Sequence, residues 1–101
     1  MEVAPTLADG QQTDSVGSRT LRAILPIVEQ AVGVTDEELV ATMRFVFERM
    51  KVVIEPSGAS ALAALLFGRV PDVEGKRVGV TLSGGNIEGR RFATLITAAE
   101  R

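Results

Sequence analysis

Gly75-Lys76-Arg77-Val78-Gly79-Val80-Thr81-Leu82-Ser83-Gly84-Gly85-Asn86 is the stretch on which the fold turns. A turn and a basic pair lead into Val78 to Leu82, a short apolar, β-branched run of strand length. Such a run predicts a buried strand in a mostly parallel sheet, with Val78, Val80 and Leu82 on one face and Thr81 on the other. It stops at Ser83-Gly84-Gly85-Asn86, and a helical pattern follows from Ile87 to about Ala99. That helix turns Phe92, Leu95 and Ile96 inward and leaves Arg90, Arg91 and Glu100 outside. Strand, Gly-rich turn and helix in this order place small polar groups at the carboxyl end of a sheet, where open α/β folds bind ligands. The glycines admit a ligand to the backbone, and Ser83 and Asn86 carry hydrogen-bonding groups. Taken alone, a Ser-Gly-Gly turn is more often a plain turn than a binding site.

Upstream of it, Thr35-Asp36-Glu37-Glu38 is a capping box that opens the clearest helix in the chain. Leu39, Met43, Val46 and Met50 form its apolar stripe, widened by Val40 and Phe47. Arg44 and Glu48 make a same-face pair, and Arg49 and Lys51 lie at its negative end. Glu55-Pro56-Ser57-Gly58-Ala59 then leads into a small, apolar helix from Gly58 to about Phe67. Ser57 is expected to cap that helix, Gly68 to end it in the left-handed region, and its apolar surround to bury it. A Ser-Gly helix start also offers amides to an anion. Arg69 to Lys76 reads as a loop.

Nearer the N-terminus, Thr20 to about Ala31 carries an apolar face of Leu21, Ile24, Leu25, Ile27 and Val28. Pro26 is awkward in the helix expected there, which either starts regularly at Leu25 with Pro26 at its first position after an irregular turn, the preferred reading, or is kinked. Val32 to Val34 is then short and extended. Val3 to Ser18 is rich in turn formers and without period, and the plain reading is a frayed terminus. Within it, Ala8-Asp9-Gly10 is a tight turn whose glycine could lie against a flat ligand.

Composition narrows the function. With 101 residues there is room for one domain, and 46% hydrophobic and 24% charged residues are ordinary for a globular chain. A net charge of −2, no Trp, no Tyr and only four Phe give neither a basic field nor a stacking surface for nucleic acid. Without Cys or His there is no thiolate nucleophile, no disulfide and no zinc cluster, and the usual general base and commonest metal ligand are missing. No apolar run approaches the roughly 18 residues of a membrane span, and the N-terminus shows no signal pattern, so a cytoplasmic location is the default. One confident strand cannot make a sheet, and the chain reads as part of a larger α/β domain.

Four motifs share an order. Ala8-Asp9-Gly10, Glu48-Arg49-Met50-Lys51, Glu55-Pro56-Ser57-Gly58-Ala59 and Leu82-Ser83-Gly84-Gly85-Asn86 together resemble the C-terminal portion of the threonine dehydratase and serine racemase family. These are pyridoxal-phosphate enzymes of fold type II, related in fold to the tryptophan synthase β-chain. The resemblance implies an α/β class with helices around a buried parallel strand, incomplete as a stand-alone domain. Residues 1–19 would be a loop and residues 20–101 an α/β segment. It implies pyridoxal 5'-phosphate as cofactor, with Ser83 on the pyridine nitrogen, Gly84 beside it and Gly10 against the ring face. Glu55 falls on the substrate side. Lys51 and Asn86 match positions that touch a nucleotide effector at a subunit interface in racemase-like members, although a cation at a helix end is the favoured account of Lys51. The substrate implied is a small hydroxy amino acid, and the partners are the remainder of the enzyme chain and, when complete, identical subunits.

The Schiff-base lysine of that family, in a Ser-Phe-Lys type motif, and the glycine run that cradles the phosphate are not in this segment. Its only lysines are Lys51 and Lys76, and its only double glycine is Gly84-Gly85. No catalytic residue is expected in this segment, the segment alone is expected to be inactive, and Met1 reads as an artificial or misassigned start. Dehydration of threonine or serine is the expected activity of the complete enzyme, with serine racemisation as the alternative. Two readings from other classes stay open: a small stand-alone regulatory module binding an anion, and an interaction piece completing another chain's sheet.

Overall fold

Thr35 shows why the central helix begins where it does. Its extended backbone (φ −88°, ψ 162°) lets Oγ1 accept from the Glu38 amide at 3.1 Å while Glu38 Oε1 accepts from the Thr35 amide at 2.8 Å. Two otherwise orphaned donors are thereby satisfied, as the capping box predicts. The computed structural model describes residues 6–11 and 16–98 of the chain. Residues 1–5 and 12–15 of the N-terminal loop, and Ala99 and Glu100 at the expected end of the last helix, lie outside the described residues.

Four helices are described: α1 (Ser18–Ile24), α2 (Asp36–Met50), α3 (Ser60–Leu66) and α4 (Gly89–Ala98). Single 3-10 turns lie at Asp9–Gln11 and Ser57–Ala59. Helix α2 is the axis of the packing, in contact with α3, α4 and the Ser57–Ala59 turn. Leu39, Met43 and Val46 are buried on it, each contributing roughly 1.5–3 kcal/mol of hydrophobic stabilisation. They pack with Ala8, Ile54, Ala59, Ala63 and Phe92 into one core. Thr42, fully buried, donates its hydroxyl to the Glu38 carbonyl at 2.8 Å, so no buried polar atom is stranded there. The Phe47 and Phe92 rings meet edge to face, 5.3 Å between centroids, tying α2 to α4. Met50, expected on the buried stripe, is 53% exposed at the last position of α2, where Lys51 turns left-handed (φ 60°).

Three other expectations are corrected. Val78 to Leu82 is not a strand: no segment among the described residues runs alongside it to share ladder hydrogen bonds, and the described chain is helical throughout its regular structure. A parallel strand exists only through its neighbours, and none is supplied here. Its alternation persists in weaker form, with Val80 half-buried, Leu82 packed against the core and Thr81 exposed, while Val78 is 44% exposed. The first helix lies before Pro26 rather than after it. Helix α1 ends at Ile24, the Leu25 amide still bonds Leu21 O, and the Ile27 and Val28 amides close a final turn on Ile24 O. Proline disfavours helix continuing into it and here acts as the stop. Ser57, lastly, makes no capping bond. The chain enters α3 through the 3-10 turn instead, and Gly68 (φ 70°) ends it as expected. Ala63 and Ala64 of α3 are buried, yet Leu66 and Phe67 stay 44% and 43% exposed. No helix of the described residues is long and apolar enough to cross a membrane.

Candidate functional site

Three segments far apart in sequence cross at one place. The middle one is Val53 to Gly58, anchored by buried Ile54 and Pro56 and turned into α3 by the bond from the Ala59 amide to Pro56 O. On one side lies the Asp9–Gln11 turn, held by Ala8 in the core and closed by the Gln11 amide on Ala8 O. On the other lies Ser83-Gly84-Gly85, joined by the Glu55 amide donating to Gly84 O at 3.1 Å.

The crossings are so close that side chains are excluded. A Cβ on Gly58 would stand 2.4 Å from Gly84 O, and one on Gly84 would stand 2.6 Å from Glu55 Oε1. At Gly58 the obstructing atom is backbone and only glycine lets the two segments pass at this separation, whereas at Gly84 it is the end of the Glu55 side chain, which can swing aside. The same tight fit recurs at the edges, where a Cβ on Gly85 would meet Val53 O at 2.4 Å and one on Gly10 would meet Ser57 Oγ at 2.9 Å. Ser57 Oγ itself is buried without a hydrogen-bond partner. After the crossing, the Ile87 amide bonds Gly85 O at 3.0 Å, a γ-turn that puts exposed Asn86 at its apex.

The structure thus brings Gly10, Glu55 and Gly84 into one array through Ser57 and Gly58. Ser83 stands beside Gly84 on the pinned turn, exposed, and its hydroxyl makes no hydrogen bond among the described residues. Glu55 is half-buried. Lys51 donates Nζ to Glu48 O at 2.8 Å, as a cation closing a helix C-terminus does. It lies two residues before Val53 as Asn86 lies one after Gly85, so both flank the same crossing without a described contact. The Ser-Gly start reads as the Ser57–Ala59 3-10 turn, and α3 proper is the seven residues that follow it. Among the described residues no group of three His, Cys, Asp or Glu side chains is placed to hold a metal ion.

Residues that the sequence did not nominate complete the array. Gln11 Nε2 donates to Ser60 Oγ at 2.7 Å, and Ser60 Oγ donates to Ser57 O at 2.8 Å. Arg91 of α4 reaches Asp9 at 3.4 Å. Asp36 accepts from the Thr6 hydroxyl and from the Leu7 amide, tying the approach to the Asp9–Gln11 turn onto α2. Apart from Ser60 and Ser57, three residues apart, none of these pairs has a sequence signal, because their partners lie 29 to 82 residues apart. Glycine backbone packs against the middle segment at Ser57, Gly58 and Val53, with the exposed Ser83 hydroxyl and the half-buried Glu55 carboxylate next to Gly84.

Comparison with known proteins gives this geometry a context. Residues 1–84 match the family described as pyridoxal-phosphate dependent enzyme. Over 95 residues the chain is 44% identical to the L-threo-3-hydroxyaspartate ammonia-lyase of Saccharomyces cerevisiae, covering 94% of this chain and 29% of that protein. It is 35% identical to the serine racemase of Schizosaccharomyces pombe, covering 96% of this chain and 30% of that one. Among solved structures, the serine racemase of Dictyostelium discoideum superposes with a TM-score of 0.74 at 40% identity, over 86% of this chain and 29% of that chain. The chain therefore spans about 30% of the length of the curated relatives it matches.

Proposed function

The chain belongs to the pyridoxal-phosphate dependent enzyme family, and we propose that it is the C-terminal portion of an ammonia-lyase that eliminates water from a small hydroxy amino acid, giving a 2-oxo acid and ammonia. The observation that carries this reading is the convergence of Gly10, Glu55 and Gly84 on one crossing. These residues come from three motifs that are weak singly, and the fold gathers them. Relatives named as ammonia-lyases support the reaction class, and their named substrates are hydroxy amino acids.

The array fits the family's cofactor. Pyridoxal 5'-phosphate, when bound, supplies the electron sink that this chemistry needs. Ser83, open on its turn, would donate its hydroxyl to the pyridine nitrogen. A neutral donor leaves that nitrogen unprotonated, where a carboxylate would hold a proton on it. Gly10, carrying no side chain, would pack against the ring face. Gly84 keeps Ser83 in place through the Glu55 amide bond to its carbonyl. Glu55, half-buried next to that turn, would face the substrate and orient its polar groups. The residue that bonds the cofactor covalently belongs to the part of the enzyme outside this chain.

The test uses the full-length protein loaded with cofactor. Ser83→Ala leaves the ring nitrogen without its partner, a loss of about 1–3 kcal/mol where the rest of the enzyme covers the site, and should alter the cofactor absorbance and slow turnover. Ser83→Asp should protonate the ring and change the ratio of elimination to racemisation. If both variants keep the wild-type spectrum, rate and product ratio, Ser83 has no cofactor role. Racemisation of serine is the second reading, favoured by the racemases among the relatives. In it, Lys51 and Asn86, flanking the Val53–Gly85 crossing, would take a nucleotide effector.

A further inference from the structure

The Asp9–Gln11 turn has few ties to the segment it rests on. Its backbone bonds are internal, Asp9 to Leu7 O and Gln11 to Ala8 O, and among the described residues no backbone bond joins it to Glu55 to Gly58. Asp9 and Arg91 pair at 3.4 Å with both side chains largely exposed, an arrangement that holds little. Ser57 cannot grip the turn through its hydroxyl, which has no partner. The remaining polar tie is Gln11, an exposed side chain that gives up rotamer freedom to hold one geometry. Its Nε2 reaches Ser60 Oγ at 2.7 Å and lies 3.5 Å from Ser57 O, and the Ser60 hydroxyl donates to that same carbonyl at 2.8 Å. The Ser60 hydroxyl is used in both senses, accepting from Gln11 and donating to Ser57.

We propose that Gln11 and Ser60 form a latch on the Ser57 carbonyl that fixes Gly10 over the middle segment and so sets its distance from the Ser83-Gly84-Gly85 turn. The inference rests on the cofactor reading given above and deepens it. Gly10 lies against Ser57 Oγ, and Gly58, next to Ser57, abuts Gly84, so Ser57 and Gly58 are the link through which the Asp9–Gln11 turn is placed relative to the Ser83-Gly84-Gly85 turn. Gln11 and Ser60 are positioning residues. They act through Gly10 and touch no reacting atom.

Gln11→Ala, Ser60→Ala and the double variant are compared in the full-length protein loaded with pyridoxal phosphate. Each single change should raise the cofactor Kd about 5-fold, the equivalent of one hydrogen bond, and weaken the visible circular dichroism of the bound cofactor. The urea midpoint of the cofactor-free protein should stay at its wild-type value, since both side chains lie at the surface or half-buried. The double variant should be no weaker than about 2-fold beyond either single one, because the two residues make one device. Wild-type Kd and dichroism in both single variants, or a double effect equal to the product of the single ones, overturns the latch. If the wild-type protein takes up no pyridoxal phosphate, the cofactor reading fails. The latch is then decided by amide exchange at Gln11, which should quicken in both single variants and overturns the latch if it does not.

Discussion

Gly58 carries more of the site than its size suggests. An alanine there would bring Cβ to 2.4 Å from a backbone oxygen, which cannot swing aside as a flexible side chain would. The usual gain of about 1 kcal/mol for replacing glycine by alanine in helical backbone is outweighed by overpacking, roughly 1–3 kcal/mol. Gly58→Ala should therefore lower the urea midpoint of the full-length protein and loosen the Ser83 turn. A urea midpoint left unchanged by Gly58→Ala would remove the close crossing from the account. At this scale the sequence was a partial guide. Gly10, Glu55 and Ser83 stood in recognisable tripeptides, but the reason Gly58 must be glycine is a contact with Gly84, which no local pattern can announce.

Elements were legible in proportion to how local their causes are. Helix α2 was legible from Thr35 to its last turn, because a capping box and a period of 3.6 act within a few residues. Pro26 was seen as a break but placed at the start of the wrong helix, since a proline begins one helix as readily as it stops another. The Val78 to Leu82 strand was misjudged for the opposite reason: its composition is that of a strand, and the neighbours it needs are not among the described residues. The Arg69–Glu38 pair, 2.7 Å between the loop after α3 and the start of α2, was equally invisible. The Arg69 guanidinium, together with the Thr35 amide, holds the Glu38 carboxyl below its ordinary 4.5. A carboxyl depressed in the folded state stabilises above its unfolded value and loses that contribution as pH falls through the folded one. Arg69→Ala should thus move the acid-unfolding midpoint of the full-length protein to higher pH while leaving stability near neutral pH only slightly reduced. An unshifted acid midpoint would show that the pair is not coupled to folding.

At the scale of the molecule, the described surface carries large apolar side chains on several elements. Leu25, Ile27, Val28, Phe45, Val52, Val53, Leu66 and Phe67 are all between 40% and 79% exposed, on several elements at once. Apolar exposure on that scale marks surface made for contact. The isolated 101-residue chain should bind a hydrophobic dye strongly, associate as its concentration rises, and form neither pyruvate nor 2-oxobutanoate from serine or threonine. A dye-silent monomer, or measurable keto acid from the pure chain, would oppose the reading of an incomplete enzyme. The crossing of three segments also fixes an order of events. Gln11 meets Ser60 across 49 residues and Asp9 meets Arg91 across 82, so each contact needs a long loop to close before it returns anything. Helix α2 nucleates from contacts within a turn or two and forms early, whereas the three-segment crossing can assemble only after the chain has been drawn together from end to end. It is the last part of the chain to take shape and the first to come apart.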